Sequence, residues 1–233
     1  MIFRLKKKIL LVIHIVLLTG TGFTQSSTFN GWLASFHEQE LSPKWSLLSD
    51  IQVRSADQFR SVENILLRPA LNYKLTDRQS VAMGYLYLGT WMEKNTRTFN
   101  LEHRIWEQYR LETKINKTNM TNRFRLEQRF LQKEQKFNFV QRFRHYIRFQ
   151  IPFIKQKEFK KGVFLGLQNE VFLNIQHKEK VNNRFFDQNR AYTAIGYKFS
   201  TAVQVEAGYL YRYQITDEKK NNHILQAMIN TKL

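Results

Sequence analysis

Apolar and polar residues alternate along almost the whole chain after Thr28. In the segment 101–112, Leu101, Ile105 and Leu111 fall on one face of an extended strand, and Arg104 and Arg110 fall on the other. Helical spacing would scatter these two classes around the helix axis, whereas a strand separates them, because successive side chains point to opposite faces. The alternation therefore predicts β-strands.

The same pattern recurs in about eleven segments, which are separated by short polar stretches rich in turn residues. No linker or low-complexity tract interrupts the series, so residues 26–233 are expected to form one domain. The predicted strands are Phe29–Glu38, Lys44–Ser55, Asn64–Leu75, Val81–Thr90, Phe99–Thr113, Asn122–Leu131, Asn138–Phe153, Val163–Ile175, Phe186–Phe199, Ala202–Ile215 and His223–Lys232. Single-chain bacterial barrels have even strand numbers, so one of these eleven is expected to be wrong and the total to be ten or twelve.

Two architectures fit regular antiparallel alternation: a soluble sandwich or barrel turns its apolar face inward, and a transmembrane barrel turns it outward. The arginines discriminate between them. Of the 17 arginines, 12 lie in mid-strand on polar faces, whereas most of the 20 lysines fall in turns, at strand ends or near the N-terminus. An enclosed lumen favours arginine, because the guanidinium group stays charged and forms bidentate pairs with carboxylates. We therefore expect an all-β, antiparallel, up-and-down transmembrane β-barrel of about 10–12 strands with a polar lumen.

The predicted lumenal network consists of the mid-strand arginines and the acidic residues on the same faces. Its members are Arg54, Arg68, Glu102, Arg104, Arg110, Glu112, Arg123, Arg125, Glu127, Arg129, Arg142, Arg144, Arg148, Glu170, Arg190, Glu206 and Arg212, and Asp50 shares a polar face with Arg54. A ladder of basic side chains in a lumen can select small anions. In a barrel of ten to twelve strands, however, side chains largely occlude the interior, so structural filling is preferred over conduction.

The first 25 residues have the order of a secretory signal peptide. Arg4 and the lysines at 6–8 precede an apolar run at 9–18, and small residues follow at 19–22. This apolar core is too short to span a bilayer as a helix. The formal charge of +18 would first suggest nucleic acid. Export argues against that partner and favours the outer membrane, with its lipids, lipopolysaccharide and assembly machinery as partners and small anions as candidate ligands.

Catalytic and metal-binding signals are weak. The chain has no cysteine, no His-Glu-x-x-His spacing and no Gly-x-Ser-x-Gly elbow, so no cofactor, metal or catalytic residue is predicted. His103 and His145 lie on the apolar phase of their strands, where an interfacial role is favoured over that of a general base. Two alternatives remain: an outer-membrane enzyme that modifies lipid or lipopolysaccharide, which is the less favoured class, and a soluble periplasmic β-barrel binding protein.

Several ordered motifs resemble a bacterial family called domain of unknown function 2490. They are the runs 102–108, 125–130, 142–144, 170–174 and 186–190, together with the Gly-Tyr-Leu-Tyr segments at 84–87 and 208–211. The resemblance extends over roughly 32–213, which is nearly all of the chain that follows the signal peptide. It implies an outer-membrane-type β-barrel, typically from Bacteroidota or other Gram-negative bacteria. It implies no activity.

Overall fold

The structure is a computed structural model that describes residues 26–93, 97–154, 158–216 and 219–233. The predicted signal peptide at 1–25 lies outside these ranges. The described residues contain two three-residue 3-10 turns and eleven strands. The strands are β1 (Ser26–Glu40), β2 (Trp45–Ala56), β3 (Ser61–Thr76), β4 (Gln79–Glu93), β5 (Arg97–Ile115), β6 (Thr118–Lys133), β7 (Lys136–Pro152), β8 (Gly162–Gln176), β9 (Phe186–Lys198), β10 (Val203–Ile215) and β11 (Lys219–Lys232). No helix in the described ranges is long and apolar enough to cross a membrane.

The strands close into a barrel in chain order. Every neighbouring pair is antiparallel except β1 and β11, which pair in parallel from Ser26 opposite Lys220 to Glu38 opposite Lys232. The all-β, up-and-down prediction is confirmed, and each of the eleven predicted strands overlaps one observed strand. The expectation of an even strand number is wrong. In an up-and-down series of eleven strands the first and last run in the same direction, so the pair that closes the barrel must be parallel.

Because the strands alternate in direction, the connections divide between two ends of the barrel. At the Leu233 end, where β1 and β11 finish, lie connections that include 41–44, 77–78, 116–117 and 199–202. At the opposite end, the Ser26 end, lie connections that include 57–60, 134–135 and 177–185. The two-residue loops need tight backbone turns, and Asn116 and Glu134 adopt left-handed conformations there, with φ of 54° and 59°.

Large apolar residues also point into the barrel. One interior cluster contains Leu66, Leu86 and Trp106 and another contains Trp32 and Leu210. The indole of Trp106 lies against a glycine: a Cβ on Gly84 would be 2.5 Å from the Trp106 ring and 2.6 Å from the carbonyl oxygen of Pro69. The chain therefore needs glycine at 84 for the β3–β4 wall to approach the indole this closely.

Candidate functional site

The burial pattern of the barrel is inverted relative to a soluble protein. On the outer face, Leu33, Ile51 and Met83 are 64%, 50% and 59% exposed. On the inner face, Glu127 is 0% and Arg142 is 4% exposed. An interior of charged groups needs paired, hydrogen-bonded partners, because an isolated buried charge is costly. The candidate site is therefore the lumen.

The structure places all members of the predicted network on inward faces. Their side chains line or fill one interior cavity of about 900 Å³. Eight of the twelve arginines have a carboxylate within 4 Å, and they are Arg68, Arg104, Arg110, Arg123, Arg129, Arg142, Arg144 and Arg148. Most of the predicted lumenal charges are thus internally compensated.

Glu127 is the centre of this network. One oxygen, Oε1, lies 2.5 Å from Nη1 of Arg144, and the other, Oε2, lies 2.7 Å from Nη2 of Arg142 and 3.6 Å from Nη1 of Arg104. A second carboxylate, Glu170, accepts from Arg144 at 2.7 Å. These arginines and acids come from β5, β6, β7 and β8, so the network ties four adjacent strands together from inside.

Other pairs cross the lumen. Arg148 on β7 forms a salt bridge with Glu206 on β10, and the amide of Gln150 donates to Gln204 at 3.1 Å. β7 and β10 are not neighbours in the barrel. Side chains from opposite parts of the wall therefore meet directly inside the barrel.

Asp187 belongs to the network and was not predicted. Nη1 of Arg142 donates to its Oδ2 at 2.8 Å. A β-bulge explains the omission: the β8–β9 register passes from Phe172 opposite Gln188 to Leu173 opposite Phe186, which leaves Asp187 unpaired. A bulge residue does not follow the two-residue period, so strict alternation assigns it to the wrong face.

Aromatic rings that face inward stack against the guanidinium groups of several lumenal arginines. The guanidinium of Arg125 lies 4.0 Å from the centre of the Trp106 ring, that of Arg123 lies 4.2 Å from Tyr146, and that of Arg144 lies 4.4 Å from Phe172. Arginine stacks on aromatic faces more readily than lysine, because its planar cation is weakly hydrated. Sequence reasoning missed Trp106 and Phe172 because it assigned faces by polarity alone.

Four lumenal arginines have no carboxylate within 4 Å in the described part of the chain: Arg54, Arg125, Arg190 and Arg212. Arg54 and Arg125 donate instead to glutamine side-chain oxygens, at 2.6 and 2.7 Å. With Asp50 and Asp187 included, the mid-strand network holds twelve arginines and seven acids. This network therefore keeps a surplus of five positive charges, apart from Glu38 and the basic residues that line the cavity toward the Leu233 end.

In the described part of the chain, the cavity lining includes connections at one end of the barrel. Turn residues that line it, Arg78 and those at 200–202, belong to connections at the Leu233 end. Among the residues described at the Ser26 end, none from the connections 57–60, 134–135 or 177–185 lines it. Asn182 of the last of these donates to the carbonyls of Phe186 and Ile215, which holds the loop against two strand ends. Within the described residues, the lining of the cavity therefore reaches the Leu233 end of the barrel.

The outer face has aromatic residues near both ends and is not wholly apolar. Trp45, Tyr73 and Tyr197 lie close to strand ends at the Leu233 end, and Trp91 and Tyr213 lie close to strand ends at the Ser26 end. Between them, Glu107 points outward and accepts a hydrogen bond from Gln128 at 3.1 Å.

The histidines in the described ranges contact hydroxyl groups, aromatic rings and one carboxylate. His103 and His223 contact the hydroxyls of Tyr85 and Tyr209, the latter at 2.5 Å, and His145 stacks on an outward phenylalanine. Within those ranges no group of three or more His, Asp or Glu residues is arranged to hold a metal ion. His37 and Thr231, which both line the interior cavity, form a histidine–hydroxyl contact of 2.7 Å near the Leu233 end.

Fold and interior together define a closed, eleven-stranded β-barrel filled by a buried arginine–carboxylate network. The chain belongs to the family described as protein of unknown function (DUF2490), whose model matches residues 29–223. The expected family membership is therefore confirmed. Neither the curated proteins nor the solved structures contain a match to this chain.

Proposed function

We propose that the protein is an outer-membrane β-barrel whose lumen is closed by its own arginine–carboxylate network. The observation that carries the proposal is the inverted burial: Ile51 and Leu33 face outward and are half or more exposed, whereas Glu127 and Arg142 are buried. A contiguous apolar exterior of this kind is costly in water and favourable in lipid. A closed barrel has no unpaired strand edges. This suits lipid, where every backbone N–H and C=O group must be hydrogen-bonded within the protein.

The export signal predicted from the sequence at 1–25 and the aromatic residues near both barrel ends support an outer-membrane location. Trp45 and Trp91 lie at opposite ends of the outer face, where tryptophan favours the lipid–water boundary. The partners in this proposal are outer-membrane lipids, lipopolysaccharide and the assembly machinery. Lysines and arginines in the connections, such as Lys44 and Arg78, would meet anionic headgroups.

Gel mobility tests the barrel proposal. A folded membrane barrel in detergent should migrate differently before and after boiling, and the apolar exterior should keep the protein insoluble without detergent. Recovery of a folded, soluble monomer from detergent-free periplasmic extract would overturn the proposal and favour the soluble binding protein. The same preparation, incubated with phospholipid and lipopolysaccharide and analysed by mass spectrometry, tests the lipid-modifying alternative.

A narrow anion-selective channel is the second candidate, and the surplus of five lumenal positive charges favours it. The cross-lumen contacts Arg148–Glu206 and Gln150–Gln204 favour closure. Planar-bilayer recording separates the two. The closed barrel predicts no steady conductance above the lipid background, whereas stable anion-selective steps would establish the channel.

A further inference from the structure

Three of the four unpaired lumenal arginines surround one tryptophan. The guanidinium carbons of Arg54, Arg190 and Arg212 lie 3.9, 5.0 and 5.5 Å from the centre of the Trp32 ring. Trp32 is 4% exposed, and all four residues line the interior cavity. Three like charges around one ring repel one another, so this arrangement favours a bound negative charge between them.

Buried donors at this point also lack partners. Within the described ranges, Nε of Arg190, Nε of Arg212 and Nε1 of Trp32 are buried and have no hydrogen-bond acceptor. A buried donor without an acceptor costs free energy, and most such groups in proteins are satisfied. A ligand that supplies several acceptor oxygens would satisfy all three groups.

The nearby acids do not neutralise the cluster. Asp50 is bound by Arg68, and Asp187 is bound by Arg142. Glu63 is the extra residue of a second bulge, where Arg54 pairs with Asn64 and Ser55 with Val62. It acts on Arg212 electrostatically but lies more than 4 Å from it. The cluster therefore keeps most of its positive charge.

The cavity that the cluster lines extends to the Leu233 end, beyond the cross-lumen contacts of Arg148 with Glu206 and of Gln150 with Gln204. Arg78, Lys114, Lys198 and Lys232 line the same cavity near its mouth. Positive charge at the entrance of an enclosed cavity raises the local concentration of anions and speeds their entry.

We propose that Arg54, Arg190, Arg212 and Trp32 form a binding site for a phosphate monoester, carried either by a small solute or by a lipid headgroup. A phosphate monoester carries a charge of about −1.5 to −2 and three acceptor oxygens, which suits three converging guanidinium groups. A carboxylate has one charge and two oxygens, and it would leave part of the cluster unsatisfied. This site rests on the closed-barrel geometry of the proposed function and gives that lumen a ligand.

Calorimetric titration of the purified barrel with inorganic phosphate, in a phosphorus-free non-ionic detergent with 0.15 M sodium chloride, tests the site. Saturable binding is expected, with acetate binding at least tenfold more weakly. Heat-modifiable migration verifies that each sample is folded. Folded barrel that takes up no phosphate at 10 mM, or that binds acetate equally well, would overturn the site while leaving the barrel proposal intact.

Single arginine substitutions locate the site. Because hydrogen bonds between charged groups are among the stronger ones, Arg190→Gln and Arg212→Gln should each weaken phosphate binding about tenfold or more. Arg125→Gln is the matched control, since Arg125 is also buried, unpaired and stacked on a tryptophan, Trp106. It should weaken binding threefold or less. An equal loss in the Arg125 variant would contradict a site at Trp32.

Two further measurements identify the carrier of the phosphate. Phosphorus analysis of barrel purified from cells without added phosphate should give about one phosphorus per chain if a lipid occupies the site, and this phosphorus should fall in Arg212→Gln. Empty barrel that binds inorganic phosphate indicates a soluble ligand. Bound phosphorus that is unchanged in both Arg190→Gln and Arg212→Gln would contradict the proposal.

Discussion

Glu127 accepts hydrogen bonds from both Nε and Nη2 of Arg142, at 3.0 and 2.7 Å, where neither side chain reaches solvent. The same carboxylate lies within salt-bridge distance of Arg104 and Arg144. One acid therefore compensates three buried cations. Its removal leaves all three near one another without that negative charge, which is far more costly than the loss of an exposed pair.

Glu127→Gln should lower the free energy of unfolding by about 3–5 kcal/mol or prevent assembly, because it takes one carboxylate away from three buried arginines that each keep a single other carboxylate partner. Chemical denaturation in detergent or vesicles measures the effect. Glu112→Gln is the control, since Glu112 pairs with Arg110 but its side chain is 45% exposed. That change should cost about 1 kcal/mol or less. Equal effects of the two substitutions would contradict a buried network centred on Glu127.

Gly84→Ala tests the close approach of β4 to Trp106. The added methyl group would meet the backbone oxygen of Pro69 as well as the indole, so it should destabilise the barrel by about 1–3 kcal/mol. In Gly166→Ala the nearest atom is the flexible end of Arg148, at 3.1 Å, and the effect should be smaller. The unfolding midpoints of the two variants, measured in the same detergent, compare the two losses of stability. A smaller loss for Gly84→Ala than for Gly166→Ala would be the contrary result.

Ile51→Arg tests whether the outer face meets lipid. An arginine near the middle of a lipid-facing strand costs about 2–4 kcal/mol, whereas one near the interface costs about 0–1. Leu41 lies in the turn next to Trp45 and is also exposed, so Leu41→Arg is the matched control. Urea titration in phosphatidylcholine vesicles should show a large loss for Ile51→Arg alone. Equally small losses of stability in the two variants would indicate that this face of the barrel contacts water and not lipid.

Strand existence and the inward direction of the arginines followed from the sequence, because a two-residue period assigns faces without knowledge of the fold. Asp187 escaped this reasoning because a bulge shifts it out of phase. Trp32 and Trp106 escaped it because faces were assigned by polarity, so apolar rings that share the inward face with arginines were not expected there. The parallel closure of β1 on β11 was missed because an even strand number was assumed.

Which arginines are paired could not be predicted either. Arg142 meets Asp187 across 45 residues and Arg148 meets Glu206 across 58, and such pairs depend on barrel register and shear. Composition showed a positive surplus, but only the three-dimensional arrangement places three of the four unpaired guanidinium groups around Trp32.

The central claim is that apolar side chains face lipid while the charged network faces inward, and tryptophan quenching tests it most directly. Two single-tryptophan barrels, one that keeps only Trp45 and one that keeps only Trp106, would be inserted into vesicles of lipid brominated along the upper acyl chain. Trp45 is 42% exposed on the outer face, and Trp106 is 2% exposed inside. We expect strong quenching of Trp45 and little of Trp106. Quenching of Trp106 as strong as that of Trp45, or a folded protein that does not insert and shows neither, would contradict the claim.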